Sequence, residues 1–232
     1  MNPIRNEAGA LLPAFITFTG VDDATVAADL VALADDYPIE FGLLISPKKQ
    51  GLEARYPRMT TIQWLLGELP VVFALHLCGT AAREVIREGI SAEYDDLMPY
   101  IDRVQINTAD HRVDPHLVGH WAAQRNVRAI LQARGDFPKI AAVDVLFDAS
   151  GGRGIVPNDW PYAVKSTFCG FAGGLRPDNV AAAVEMIGFR TGQRYWIDME
   201  SGVRDEFDRF SVAKCREVCE AVYGAPRGSD HG

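Results

Sequence analysis

Three observations predict an α/β fold closed into a (β/α)8 barrel. Short apolar runs of strand length alternate with longer segments of helical period, and the alternation recurs eight times along the chain. The length, 232 residues, suits one such barrel. The hydrophobic share, 48%, is enough to fill its core. Residues 1–232 are therefore read as a single barrel domain, with 1–12 a loose lead-in and 224–232 a polar tail.

In chain order, the first strand is 14–19, followed by a helix at 22–36 that gathers Val26, Leu30 and Leu33 on one side. Strand two is 39–45. A long loop at 46–58 carries Lys48, Lys49, Arg55 and Arg58, and a helix follows at 60–69. Strand three, 71–77, runs into HLCG and then a helix at 81–88. Strand four is 103–107, with its helix at 115–125, and strand five is 127–132. Only about ten residues lead from there to strand six, where a right-handed crossover needs roughly 10–12. The helix between strands five and six is therefore predicted to be short or missing. Strand six, 143–148, contains Val143, Val145, Leu146 and Phe147, and a short helix is expected near 159–165. Strand seven is 168–172 and its helix 178–186, with Pro177 and Asp178 suited to a helix start. Strand eight is 195–199, and the last helix, 212–223, carries Cys215 and Cys219 on one face.

Charge and cysteine usage narrow the partners. A net charge of −8 argues against nucleic acid and against an anionic membrane surface. The four cysteines have no paired spacing and read as free thiols in a reducing cytoplasm. No charged segment precedes a long apolar run, so neither a signal peptide nor a membrane span is expected. The expected partner is a small molecule, to a cytoplasmic monomer or homodimer.

Chemistry concentrates in the last third. Asp148 ends strand six and is followed by Gly151, Gly152 and Gly154, whose freedom at positive φ lets backbone approach a ligand. Gly173 and Gly174 precede a helix start, and Ser201 and Gly202 follow strand eight; glycine turns of this kind offer free N–H groups to an anion. A strand-end acid with two backbone cradles points to a phosphorylated substrate. On strand three, His76 and Cys78 are two apart and can both face the barrel mouth, and histidine is the natural base at neutral pH. Asp198 and Glu200 share a face on strand eight, as do Gln105 and Asn107 on strand four. His76 and Cys78 have no third ligand at a recognisable spacing, so no metal is expected, and no cofactor. Each residue also has a plainer reading. Asp148 could cap a turn, His76 could be a core histidine, Cys78 a small buried hydrophobe, and Glu200 a partner of Arg204 or Arg153. His111, His116 and His120 read as surface or packing residues, and Lys48 and Lys49 as a solvated loop.

These motifs resemble those of phosphoribosylanthranilate isomerase, the (β/α)8 TIM-barrel enzyme of tryptophan biosynthesis. That family has a strand ending LLDA, a loop ending GGTG and a DW pair; this chain has LFDA at 146–149, GGRG at 151–154, and Asp159 with Trp160. The family's AGGL and PENV appear here as AGGL at 172–175 and PDNV at 177–180, and its DVSSGVE as DMESGVR at 198–204. The resemblance implies that Gly173, Gly174, Ser201 and Gly202 hold a substrate phosphate, that Asp148 is the general acid, and that Arg55 in ARYP binds substrate. The front of the chain departs from the pattern. TFTG stands where the family has KICG, so Thr17 and Thr19 replace its Lys and its general-base Cys, and QIN at 105–107 replaces QLHG. The function implied is isomerisation of a phosphorylated sugar or sugar-amine with Asp148 as acid and a relocated base. Two alternatives stay open: another phosphosubstrate enzyme on the same scaffold, such as an epimerase, aldolase or lyase, and a non-catalytic phosphometabolite-binding protein. A Schiff-base branch would need a lysine at an inner strand position, and the strands assigned have none.

Overall fold

A computed structural model describes residues 4–88, 92–108, 110, 112–149, 151 and 153–226. Eight parallel strands close into one barrel in sequence order: β1 (Ile16–Thr19), β2 (Ile39–Ile45), β3 (Phe73–Leu77), β4 (Arg103–Ile106), β5 (Arg128–Ala133), β6 (Asp144–Asp148), β7 (Cys169–Ala172) and β8 (Tyr195–Met199), with β8 pairing back to β1. The helices are α1 (Ala27–Asp36), α2 (Met59–Glu68), α3 (Thr80–Glu88), α4 (Pro115–Ala123), α5 (Val180–Thr191) and α6 (Val212–Tyr223). None is long and apolar enough to cross a membrane.

Departures from the expected elements have local causes. The first helix starts at Ala27 because the Asp22 carboxylate accepts from Ala24 N–H and from Thr25 Oγ1, a turn that competes with helix. The helix after β7 starts at Val180 because Asn179 instead ties down the preceding loop, accepting from Arg176 N–H and donating to the Gly174 carbonyl. It runs on to Thr191, where Gly192 ends it at φ 59°. No helix links β5 to β6, in line with the short spacing. The helix expected near 159–165 is also absent: Pro161 bars Trp160 from helical backbone and supplies no N–H. The outer faces of β6 and β7 are covered there by rings. Phe137 packs edge-on to Phe171 at 5.2 Å, and Trp160 packs on Phe147 at 5.9 Å and on Phe171 at 6.1 Å. Arg190 on α5 fastens this cover by donating to the Trp160 carbonyl at 2.6 Å. The described part of the lead-in is anchored at its end: Leu11 is buried, and its carbonyl accepts from Tyr195 Oη at 2.8 Å.

Strand alternation sends one set of residues outward into the main apolar core and the other into the barrel. The outward set includes Phe18, Phe41, Leu75, Val104, Phe147, Phe171 and Ile197. The inward set divides. Ile130, Leu146, Ala172 and Trp196 form a separate apolar cluster with Phe15 and Phe168 packed on it. On the other side the interior is polar: Thr17 donates to Glu40 at 2.8 Å, Arg103 to Glu40 at 3.1 Å, and Arg103 Nε lies 3.6 Å from Asp144. The Arg103 guanidinium lies 4.1 Å from the Trp196 ring centre, so the two halves meet there. Trp196 fits only because residue 170 has no side chain; a Cβ there would lie 2.2 Å from the indole. Gly170→Ala is therefore expected to destabilise the fold by about 1–3 kcal/mol through overpacking. Urea unfolding measures it, and a cost below about 0.5 kcal/mol would show that the ring moves aside freely.

Candidate active site

At the C-terminal ends of the strands lies a cavity of about 570 Å³. It brings together Thr19, Arg55, His76, Cys78, Gln105, Asn107, Asp148, Gly154, Gly173, Gly174, Asp198, Glu200, Ser201 and Gly202. Gly152 lies outside the described residues. Active sites of (β/α)8 barrels occupy this end, where loops vary without disturbing the barrel.

The floor is built from β1, β3 and β8. Thr19 Oγ1 donates to Asp198 Oδ1 at 3.1 Å, and His76 Nε2 lies 4.0 Å from Asp198 Oδ2. The three groups can crowd together because β2 passes Gly42 beneath them: a Cβ at residue 42 would lie 2.5 Å from Thr19 Oγ1 and 3.0 Å from His76 Nε2. Burial sets their charge. It pushes the Asp198 carboxyl well above the usual carboxylate range, against the pull of the Thr19 hydrogen bond, and so favours the protonated acid. It pushes His76 down to about 3, with the Arg103 guanidinium adding to the shift, and so favours neutral imidazole. Thr19, the residue standing where the resemblance expects a base, is engaged with Asp198.

On the β3–β4 side a hydrogen-bond chain crosses the wall. Gln105 Nε2 donates to Asn107 Oδ1 at 2.6 Å, and Asn107 Nδ2 donates to Cys78 Sγ at 3.1 Å. Burial raises the Cys78 thiol; the bond from Asn107 pulls the other way, and Glu200 adds to the rise. Cys78 is thus held as a thiol and not as the thiolate that abstracts protons.

The opposite wall is backbone. Gly173 has φ +127° and Gly174 +61°, in the region that favours glycine. A Cβ on Gly174 would lie 2.6 Å from Val156 N, and one on Gly202 2.0 Å from the Leu175 carbonyl oxygen. The loops after β6, β7 and β8 therefore nest main chain against main chain, and Ser201–Val203 turns as one short 3-10 helix. Asp148 is buried at the end of β6, where Oδ1 accepts from Gly151 N–H at 3.1 Å. Arg55 reaches over from the loop after β2, donating to Glu200 at 2.6 Å, Ser201 Oγ at 3.0 Å and Asp208 at 2.8 Å. Glu200 thus pairs with Arg55, while Arg204 is buried on Asp22 and the Gly20 carbonyl.

Sequence reasoning missed Arg176, Gln132, Glu53 and Tyr56, and gave Lys49 to solvent; all five line the cavity. Arg176 follows AGGL directly, and Gln132 lies two residues beyond Ile130, on the strand face that looks inward. Those two signals could have been read. His116 and His120 are on α4, away from the cavity, and His111 lies outside the described residues. Among the described residues no group of three or more His, Cys, Asp or Glu side chains could hold a metal.

A closed eight-stranded parallel barrel with its cavity at the strand C-termini defines a (β/α)8 protein of the TIM-barrel class. Within that class the chain resembles phosphoribosylanthranilate isomerase in fold as well as in motif. It is similar to TrpF from Jonesia denitrificans at 18% identity, over 90% of this chain and 97% of that one, with a TM-score of 0.64. It is similar to phosphoribosyl anthranilate isomerase from Thermus thermophilus at 19% identity, over 89% and 96%, with a TM-score of 0.59. Triosephosphate isomerase from Bartonella henselae matches at 9% identity over 90% and 99%, with a TM-score of 0.54. Identities this low establish the fold alone. No family model and no curated protein matches the chain.

The floor has a consequence for stability. His76 is lowered in the fold from an ordinary 6.5 to about 3, so below pH 6.5 the unfolded chain binds a proton that the folded chain refuses. Its contribution is present above pH 6.5 and is lost as pH falls toward about 3. His76→Gln is expected to flatten the fall in stability across that window by more than about 1.4 kcal/mol, the worth of one pH unit. Denaturant unfolding of both proteins at pH 7.5 and pH 4.5 measures it, and parallel losses would show that His76 protonates freely in the fold.

Proposed function

We propose that the protein is an isomerase of a phosphorylated sugar or sugar-amine, with Asp148 as general acid. One observation supports the reading above the rest: Asp148 lines the same cavity as the glycine loops Gly173-Gly174 and Ser201-Gly202. The loops hold the phosphate with backbone N–H groups, and the guanidiniums of Arg55 and Arg176, paired with Glu200, Asp208 and Asp178 in the free protein, turn to it as further donors. The phosphate fixes the substrate so that its reacting carbons lie over the floor.

The base follows from the protonation states of the floor. Thr19 is no base near neutral pH, Cys78 is held as a thiol, and neutral His76 is too weakly basic to take a carbon-bound proton. Asp148 therefore serves twice. It gives its proton to the ring oxygen as the C1–O bond breaks, and is left as a carboxylate. As C1–O breaks, the lone pair of the anomeric nitrogen or oxygen closes a double bond to C1. The carboxylate then takes the proton from C2; the C–H electrons form the C1=C2 enol and the C1 double-bond electrons return to that nitrogen or oxygen. Asp148 is back in its starting state, and the enol becomes the ketose as its C2 hydroxyl proton is lost to water and C1 takes one up. Asp198 and His76, both favoured in their uncharged forms, hydrogen-bond the open-chain intermediate without trapping it as an ion pair.

The test is a panel of phosphorylated aldoses and aldosylamines, phosphoribosylanthranilate included, with ketose formation followed for wild type and Asp148→Asn. Turnover of at least one member is expected, with kcat lowered about 10²–10⁴-fold in the variant and inorganic phosphate affinity kept within a few-fold. Phosphoribosylanthranilate is expected to be a poor substrate, because Thr19 stands in the position of the family's base. Phosphate binding with no turnover across the panel would make this a binding protein instead, and wild type that binds no phosphate would end the reading.

A further inference from the structure

The floor of the cavity holds two buried polar atoms with no hydrogen-bond partner among the described residues: His76 Nε2 and Gln105 Oε1. Both residues line the cavity, and β3 and β4 pair them side by side in register. Their side chains are at least nine-tenths buried, His76 at 1% exposed and Gln105 at 3%. Neighbours fix how each is presented. The bond from Gln105 Nε2 to Asn107 assigns the amide so that its carbonyl oxygen is the spare end. Gly42 leaves the space in which His76 Nε2 approaches Thr19 and Asp198. Folding leaves such atoms unpaired at a cost, so they mark where a ligand's polar groups are expected.

The chemistry of the pair selects the ligand. An amide oxygen needs a donor. A neutral imidazole nitrogen needs either a donor or an acceptor, according to tautomer. The Asp198 carboxyl beside them, with Oδ1 accepting from Thr19, adds an oxygen 4.0 Å from His76 Nε2. Hydroxyl groups, which donate and accept at once, satisfy all three. An aryl ring seated on the same floor would cover His76 and Gln105 and satisfy neither. Asn107 and Gln132 continue the carboxamide lining on the same side.

We infer that His76 and Gln105 are specificity-determining residues that read hydroxyl groups, so that the substrate is a phosphorylated sugar whose far end is a free hydroxylated carbon chain and not an N-aryl group. This rests on the reading that the loops after β7 and β8 hold the phosphate. It turns the general proposal of a phosphosugar or sugar-amine into one class, the simple aldose and ketose phosphates.

Calorimetric binding of three probes to the intact protein tests it: inorganic phosphate, n-pentyl phosphate and ribitol 5-phosphate. The last two match in chain length and differ in hydroxyls. Ribitol 5-phosphate is expected to bind about tenfold tighter than pentyl phosphate or better. Gln105→Leu and His76→Leu should each weaken ribitol 5-phosphate by about tenfold and leave inorganic phosphate within about twofold. Pentyl phosphate binding as tightly as ribitol 5-phosphate to wild type would overturn the inference while the phosphate site stood, and that comparison needs no variant to fold. If none of the three binds, it is the phosphate reading that fails, and the inference with it.

Discussion

A full positive charge sits inside the barrel, and the rest of the interior is arranged around it. Arg103 points inward from β4 and is buried. An unpaired guanidinium there would be strongly destabilising. Glu40 from β2 and Asp144 from β6 approach it from two sides, and Phe15 and Trp196 present ring faces at 5.0 and 4.1 Å. With Phe168 at 5.8 Å as well, the charge is shared among three strands and three rings. Burial raises the Glu40 carboxyl, and Arg103 pulls it back. The network is thus no simple gain in stability; it spans the barrel and ties strands far apart in sequence.

The same charge governs the layer above it. Arg103 adds to the burial that keeps a proton off His76. Asp198, nearer the mouth, is driven the opposite way by burial, toward the protonated acid. A histidine and an aspartate 4.0 Å apart would ordinarily be read as an ion pair. Here both are favoured in their neutral forms, so they offer hydrogen bonds instead of charge. The polarity of the cavity accordingly runs from a backbone-rich end at Gly173 and Ser201, flanked by the ion-paired Arg55 and Arg176, to a floor at His76 that favours neutral forms.

Much of this was legible in the sequence, and the rest was hidden for reasons that can be named. β2, β8 and α6 have the expected limits; in the two strands apolar residues alternate with Glu40 and Asp198, and in α6 Cys215, Val218, Cys219 and Val222 recur at helical period. The helix start at Ala27 was hidden by a side-chain turn at Asp22 that helical period cannot reveal. The absent helix at 159–165 has its signal in Pro161; Trp160, Ala163 and Val164 pack on the core without helix. The glycine loops and Asp148 were found from motif. The pairing of Arg103 with Glu40 and Asp144 was not, because strand alternation gives the direction of a side chain and not its partner across the barrel. The role of Gly42 was invisible for the same reason: it is defined by what a side chain would strike on two neighbouring strands.

The ring cover over β6 and β7 has a consequence of its own. Around most of the barrel the outer layer is helix, whose hydrogen bonds make each segment yield as a unit or hold. Between β5 and β7 the layer is loop, laid on the strand residues Phe147 and Phe171 by Phe137 and Trp160 and tied by single hydrogen bonds such as Thr167 to the Ile140 carbonyl, without a helical ladder of its own. Segments of this kind open locally at lower free energy than helices. The barrel is thus built with one compliant stave among stiff ones. Asp148 stands at the top of that stave, with β5 on one side of its strand and β7, which leads to Gly173 and Gly174, on the other. Compliance and the buried Asp148 carboxyl share one piece of chain, so this side of the barrel can yield without loosening the hoop of strands that holds the Arg103 charge below.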